Sequence, residues 1–234
     1  MKNIPSYEGL IGLHEGETAC VIGAGTSLRD QDMSFTSNTI QLTVNSAILL
    51  TNWTEGSSDR RYWVSNDSGV MKWSYWKRIQ SSKCKKVIRN SWKKNYNGFD
   101  LTDFYVFSPR PTAEDVINSE DKGLAYCSSV PSSIDLALQM GCKRIFVFGA
   151  DHYMSGNYSH FWQFWARNRQ PCRNGSNLPD SHQQQKKTFK YNNKSYKALK
   201  GFADELGAEI FNCSPKSIIQ EFPLISIDQA RDMI

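Results

Sequence analysis

Nowhere does the 234-residue chain hold an apolar run approaching the roughly 20 residues that cross a bilayer. Its opening residues, Met1-Lys2-Asn3-Ile4-Pro5, lack the apolar segment of a secretory signal, so a cytoplasmic protein is the expectation. Cys-x-x-Cys pairs are missing too. The six cysteines, Cys20, Cys84, Cys127, Cys142, Cys172 and Cys213, are scattered with no zinc-type spacing, so neither a structural zinc nor a disulfide framework is expected. Cys20 and Cys142 flank strand-like runs and read as small core residues. Repeats and low-complexity tracts are absent. With 39% hydrophobic and 22% charged residues, the composition is that of an ordinary globular protein, long enough for one sizeable core.

Acidic residues are missing altogether from residues 68–99, which carry Lys72, Lys77, Arg78, Lys83, Lys85, Lys86, Arg89, Lys93 and Lys94. Trp73, Tyr75, Trp76, Trp92 and Tyr96 are interleaved with them. Two readings stand. Cations and rings together are the footprint of a polyanion such as DNA. Equally, the stretch is a solvated face whose aromatics point into the core.

What is present is a succession of short apolar runs. Residues 17–23, 39–45, 61–67, 85–89, 104–107, 143–151 and 208–212 read as strands. Ser128 to Met140 has helical spacing at Val130, Ile134 and Leu138, with Pro131 in its first turn and Gly141 closing it. Lys194 to Leu206 reads as a second helix stopped by Gly207, and a short helix follows near the C-terminus. Alternating strands and helices imply an α/β fold: a single Rossmann-like domain over residues 1–234, with a mainly parallel sheet and a lid-like insertion at about 153–194. Polar residues that end the strands then gather at the carboxyl edge of the sheet, where open α/β folds bind ligands.

Gly23-Ala24-Gly25-Thr26-Ser27 joins a strand to what reads as the start of a helix, a place where backbone N–H groups can approach a phosphate. It is neither a full G-x-G-x-x-G fingerprint, since Leu28 stands at the third glycine, nor a P-loop. A simple tight turn is the alternative. Asn45 and Asp67 end strands and either cap a turn or touch a ligand. Asp151 follows the strongest strand and could meet a ribose hydroxyl, a metal or neighbouring backbone N–H groups. A base near neutrality would come from His14, His152, His160 or His182, of which His14 reads as surface and His160 and His182 fall in the insertion. No carboxylate pair reads as a metal clamp, so no metal and no cofactor beyond a co-substrate are expected.

The order of these motifs resembles a known family. Val21-Ile22-Gly23-Ala24-Gly25-Thr26-Ser27-Leu28, Val44-Asn45-Ser46, Cys127-Ser128-Ser129-Val130, Phe148-Gly149-Ala150-Asp151-His152-Tyr153 and Asn212-Cys213-Ser214-Pro215-Lys216-Ser217 are similar to segments of the bacterial family-42 sialyltransferases. Flagellin-glycosylation motility-associated factors and hydroxymethylpterin diphosphokinase-like proteins are their wider relatives. The resemblance runs from about Thr18 to Asp228. It implies a metal-independent glycosyltransferase that moves a sugar from a nucleotide-activated donor to an acceptor hydroxyl on a glycan or protein. It implies donor contacts at Gly23, Gly25, Thr26, Ser27, Asn45, Ser128 and Ser129, with Ser129 standing where the family has glycine. Tyr153 and Tyr158 would hold the donor phosphate, and Ser214 and Ser217 would line the nucleotide pocket. Lys197-Ala198-Leu199 resembles a family helix that follows the catalytic base, which points to His182, with His160 as rival. The basic stretch 72–94 suggests a variant in which hydroxymethylated DNA bases of a phage are the acceptor. A pterin-type diphosphokinase, in which Asp67 and Asp151 converge on a divalent ion, and a non-enzymatic nucleotide-binding module are the alternatives.

Overall fold

A computed structural model of the chain describes residues 6–51, 58–89, 104–107, 128–156, 158–171 and 182–234. Seven strands form one sheet: β1 (Thr18–Ile22), β2 (Ile40–Val44), β3 (Arg61–Ser65), β4 (Lys85–Arg89), β5 (Phe104–Phe107), β6 (Arg144–Phe148) and β7 (Glu209–Asn212). Their order is β5-β4-β3-β2-β1-β6-β7, and every pair is parallel. The winding therefore runs outward in one direction from β1 to β5 and in the other through β6 to β7. Between β1 and β6 the connections part to opposite sides, which opens a crevice at the carboxyl ends of those two strands.

The strands are apolar on both faces because both are covered. Side chains alternate with period two, so Ala19 and Val21 of β1 join one core while Cys20 and Ile22 join another. The first core packs beneath α2 (Ser129–Gln139) and α3 (His182–Leu206), with Ile134, Ala137, Leu138, Tyr196, Leu199 and Ala203 meeting Val21, Leu42 and Val64. The second is closed by Leu28, Met33, Phe161 and Trp162, together with Ile227 and Ala230 of α4 (Ile227–Met233). Toward β4, Trp63, Ile88 and Phe104 pack on Trp76 and Ile79 of α1 (Trp76–Ser81).

Two helices stop at the expected glycines, each with left-handed φ. Gly141 (φ 91°) follows α2, with the Cys142 N–H reaching Ala137 O at 3.1 Å, and Gly207 (φ 62°) follows α3, with the Ala208 N–H on Ala203 O at 2.8 Å. The start of α3 differs from expectation. It begins at His182, twelve residues before Lys194, because residues 182–193 are mostly Gln, Lys and Asn, which lack an apolar period although Gln and Lys favour helix. The glycine turn does not open an α-helix either; a 3-10 turn, Thr26–Leu28, follows it.

One other expectation changes, and one open choice is narrowed. His14 is buried rather than superficial, its ring bridging Tyr62 Oη at 2.8 Å and Glu17 Oε1 at 3.0 Å. In the basic stretch, Tyr75 and Trp76 lie in the core and Trp73 packs edge-on against Trp162, so these rings are not a surface for stacking bases. Lys86 is buried as well, its ammonium donating to Ser82 O at 2.7 Å. Trp92, Lys93, Lys94 and Tyr96 lie outside the described residues. Cys20, Cys84, Cys142 and Cys213 are buried free thiols, and Cys127 and Cys172 lie outside the described residues. Among the described residues no helix is long and apolar enough to cross a membrane.

The close approach of β1 and β6 beyond their ends depends on glycine. A Cβ at Gly23 would stand 2.5 Å from Gly149 O. Gly23→Ala is expected to lower stability by about 2–3 kcal/mol, since backbone must move to admit the methyl. Gly9→Ala, with nothing within 4 Å of the added carbon, should stay within about 0.5 kcal/mol of the parent. Urea midpoints of the two variants check this, and equal midpoints would disprove it.

Candidate functional site

Beyond the ends of β1 and β6 the two loops are bonded into one piece. The Gly23 N–H donates to Phe148 O at 2.8 Å and the Gly25 N–H to Gly149 O at 2.9 Å. Asp151 completes the join. One carboxylate oxygen accepts from the Ser27 N–H at 2.7 Å and from Thr26 Oγ1 at 3.0 Å, and the other accepts from Ser27 Oγ at 2.5 Å. Of the three partners open to Asp151, the backbone N–H and its flanking hydroxyls are the ones it takes. The anion that the glycine turn was expected to cradle is thus the protein's own carboxylate, and Thr26 and Ser27 are committed to it. Gly23 is small for packing against Gly149, not for admitting a ligand.

Beside this join lies a cleft of about 510 Å³. Ala24, Gly25, Asn45, Asp67, Ser128, Ser129, Asp151, His152, Tyr153 and His160 all line it, which gathers most of the residues singled out in the sequence at one place. Six do not line it: Gly23, Thr26 and Ser27, which are taken up by the join just described, and three others. Tyr158 is exposed, its ring packed edge-on against Phe164. Ser214 and Ser217 stand behind the wall: Ser214 Oγ accepts from the Ala150 N–H at 2.9 Å and Ser217 Oγ donates to Ala150 O at 2.8 Å. They brace the β6 loop instead of lining the pocket, because a short polar side chain one strand away is within reach of that peptide. His182 opens α3, and its side chain lies outside the described residues.

Asn45 is built into the cleft floor. Its backbone is left-handed (φ 50°), its carbonyl accepts from Trp63 Nε1 at 2.9 Å, and its side-chain Oδ1 is buried without a partner among the described residues. Left-handed Asn is tolerated because its short polar side chain relieves the crowding. An orphaned buried acceptor costs about 1–3 kcal/mol. Ser129 Oγ accepts from the Asn66 N–H at 2.8 Å, which docks the first turn of α2 over the β3 end of the cleft. That turn presents N–H groups and the positive end of the helix dipole. Asp67 is occupied as a cap, accepting from the Gly69 N–H at 2.7 Å.

On the entrance side, the Phe161 N–H donates to Ala24 O at 3.0 Å, tying the segment after Tyr153 to the glycine turn. His160 sits just before it, its Nδ1 2.8 Å from Ser159 Oγ and its ring stacked on Trp162. His152 has a left-handed backbone (φ 54°) and stacks on Phe189 at 4.8 Å between centroids, with Tyr196 Oη 3.1 Å from its Nε2. Burial pushes its pKa down to about 4, with the Asn193 side chain pulling the other way.

Among the described residues no Lys or Arg lines the cleft, and no three His, Cys, Asp or Glu side chains come together as metal ligands. The chain does carry one Asp-x-Asp spacing that the sequence reading passes over, Asp30-Gln31-Asp32. It is superficial, with Asp32 accepting from Ser34 N–H and Oγ at 2.9 and 2.8 Å.

No family model matches the sequence and no curated protein matches it. Among solved structures the chain is similar to the sialyltransferase CstII from Campylobacter jejuni in complex with the substrate analogue CMP-3FNeuAc. Identity is 15% and the TM-score 0.52, over 90% of this chain and 86% of that one. The same enzyme in complex with cytidine-5'-monophosphate matches at 16% identity and TM-score 0.52, over 91% and 86%. The fold is that of the sialyltransferase. A Maf glycosyltransferase from Magnetospirillum magneticum AMB-1 is also matched, at 13% identity and TM-score 0.49 over 94% of this chain and 37% of that one. The sialyltransferase-like resemblance read from the motif order is therefore matched at the level of the fold.

The buried imidazole makes a pH test. A free histidine titrates near 6.5, whereas His152 stays neutral down to about 4. Between those values the unfolded chain binds the extra proton, so this residue's contribution to stability falls as pH drops from 6.5 toward 4. The full loss is roughly 3 kcal/mol. His152→Phe should flatten the pH dependence of the unfolding free energy across that window. Parallel curves for parent and variant would refute it.

Proposed function

We propose that the protein is a glycosyltransferase that uses a nucleotide-activated sugar, with the donor's nucleotide held in the cleft at the β1–β6 switch point. One observation carries the reading. Left-handed Asn45 and the first turn of α2 line one cleft at the carboxyl edge of the sheet, in a fold shared with a sialyltransferase whose structures contain CMP. The phosphate is met by neutral donors, N–H groups of α2 and the Tyr153 phenol, with Asn45 beside them on the cleft wall. Such preorganised donors stabilise the charge that develops on a departing nucleotide. His160, at the rim, takes the proton of the acceptor hydroxyl as it attacks the anomeric carbon. The acceptor is a glycan or protein hydroxyl; the inward-facing rings of the basic stretch give no support to DNA in that role. Asp67 and Asp151 are engaged by Gly69, Thr26 and Ser27, which does not favour the diphosphokinase alternative.

Thermal shifts against CMP-, UDP-, GDP- and ADP-linked sugars test the donor. One class should raise the melting temperature in a concentration-dependent way, as mass action requires, and Asn45→Ala should weaken its binding about tenfold. If none of the four stabilises the protein, the reading fails.

With the donor identified, His160→Ala should lower kcat by about 100- to 1,000-fold while leaving donor affinity near the parent value. A variant that binds donor poorly but turns over normally would remove His160 from the role of base.

A further inference from the structure

Tyr158 does not line the cleft, yet it is 41% exposed, and every other described Phe, Tyr or Trp ring is buried or half-buried. A single exposed ring on a surface is ordinary; this one is fixed, and it stands at the rim. Ser155 and Tyr158 exchange two backbone hydrogen bonds, at 2.8 and 3.1 Å, which close a tight hairpin at the root of the side chain. Phe164 packs edge-on against the phenol ring at 4.8 Å between centroids, and the Arg29 guanidinium lies 4.4 Å from the centre of that Phe164 ring. Arg29 follows the glycine turn, so the ring is braced from both segments that frame the entrance. An edge-on neighbour covers at most one face of a ring, and the Tyr158 hydroxyl forms no hydrogen bond among the described residues. The next two residues, Ser159 and His160, line the cleft. Two residues of chain span about 7 Å at most, so Tyr158 stands directly outside the rim that His160 occupies.

We propose that Tyr158 is the platform on which a sugar ring of the acceptor stacks, which makes the acceptor a glycan rather than a protein side chain. The inference rests on the transferase reading above and adds the class of its second substrate. One face of a pyranose is a patch of C–H groups, with hydroxyls around its edge. The C–H patch meets the electron-rich face of an aromatic ring, and a free phenol hydroxyl can exchange hydrogen bonds with the sugar's edge. A serine or threonine side chain has no comparable flat apolar face. A ring already held by its hairpin and by Phe164 also loses little freedom when a partner stacks on it. The position suits the reaction, because an acceptor must bring one hydroxyl to His160 while the rest of it stays outside the cleft that holds the donor.

A platform needs the ring of Tyr158, whereas a contact to the donor phosphate would need its hydroxyl, and two variants separate these roles. Tyr158→Phe keeps the ring and Tyr158→Ser removes it; both should fold as the parent does, because the side chain is exposed. Saturation-transfer NMR, run without donor, tests binding of the methyl pyranosides of galactose, glucose, mannose and N-acetylglucosamine. At least one should take up saturation from the protein, most strongly on the C–H protons of one ring face. Tyr158→Phe should bind it within about threefold of the parent, and Tyr158→Ser about tenfold more weakly. If none of the glycosides is saturated, or if Tyr158→Ser binds as the parent does, the platform is refuted. A donor thermal shift that disappears in Tyr158→Phe would also refute it and assign the phenol to the phosphate. Because the glycosides are titrated alone, a failed donor screen sinks the transferase reading, whereas failed glycoside binding beside a successful donor screen sinks only the platform.

Discussion

The Asp151 carboxylate, holding Thr26 and Ser27 from the far side of the switch point, is the interaction on which the site is built. In a doubly wound sheet the loops after the two central strands diverge, and nothing in the winding keeps them together. Here a charge-assisted set of three hydrogen bonds does so, reinforced by direct backbone bonds from Gly23 and Gly25. Such closeness is possible only without side chains: added carbons at Gly23 and Gly25 would stand 2.5 and 2.6 Å from Gly149 O. Everything else in the cleft is placed relative to this joint. Ser214 and Ser217 hold its rear through residue 150, and Phe161 holds its front through residue 24.

Because the joint uses its own carboxylate, the hydrogen-bonding groups of Thr26 and Ser27 are already engaged. Under the proposed function an anion is met instead on the β2–β3 side, where α2 begins. Backbone strain gathers at the same edge of the sheet. Asn45, His152 and Lys216 are the described non-glycine residues with positive φ, and they follow β2, β6 and β7, all at one end of the sheet. Conformations of this kind persist where surrounding contacts enforce them, and they cluster at sites that need a side chain aimed in one direction. For Asn45 and His152 the enforcing contacts are visible, as the Trp63 bond to Asn45 O and the stack on Phe189. For Lys216 none is.

The sheet was legible in the sequence for a plain reason. Parallel strands buried on both faces must be almost wholly apolar, and runs such as Ile145-Phe146-Val147-Phe148 have no alternative home in a chain this polar. Gly141 and Gly207 marked helix ends because a left-handed residue is needed there. The start of α3 was not legible, since its first three turns carry helix formers without an apolar stripe. The site was legible as a neighbourhood but not as a set of contacts. Position after a strand tells which residues reach the carboxyl edge. It does not tell that Asp151 bonds a residue 124 positions away, nor that Ser214 turns to a peptide instead of a pocket. Composition could not choose between the two readings of the basic stretch, because it counts rings and charges without telling which of them face inward.

A division of labour follows from these assignments. Charged groups at the cleft serve the scaffold: Asp151 joins two loops and Asp67 caps a turn. Neutral groups, among them Asn45, Ser128, Ser129, Tyr153 and His160, make up much of the remaining lining. A site arranged in that manner gains little from long-range attraction and much from fit, since neutral dipoles act only at contact distance and only when aligned. Under the proposed function it also has little to reorganise as charge develops on a leaving nucleotide, because dipoles fixed by backbone geometry are already in place. The glycines at 23, 25 and 149 thus act from a distance: they let two loops meet closely enough that the groups facing the cleft are held in place.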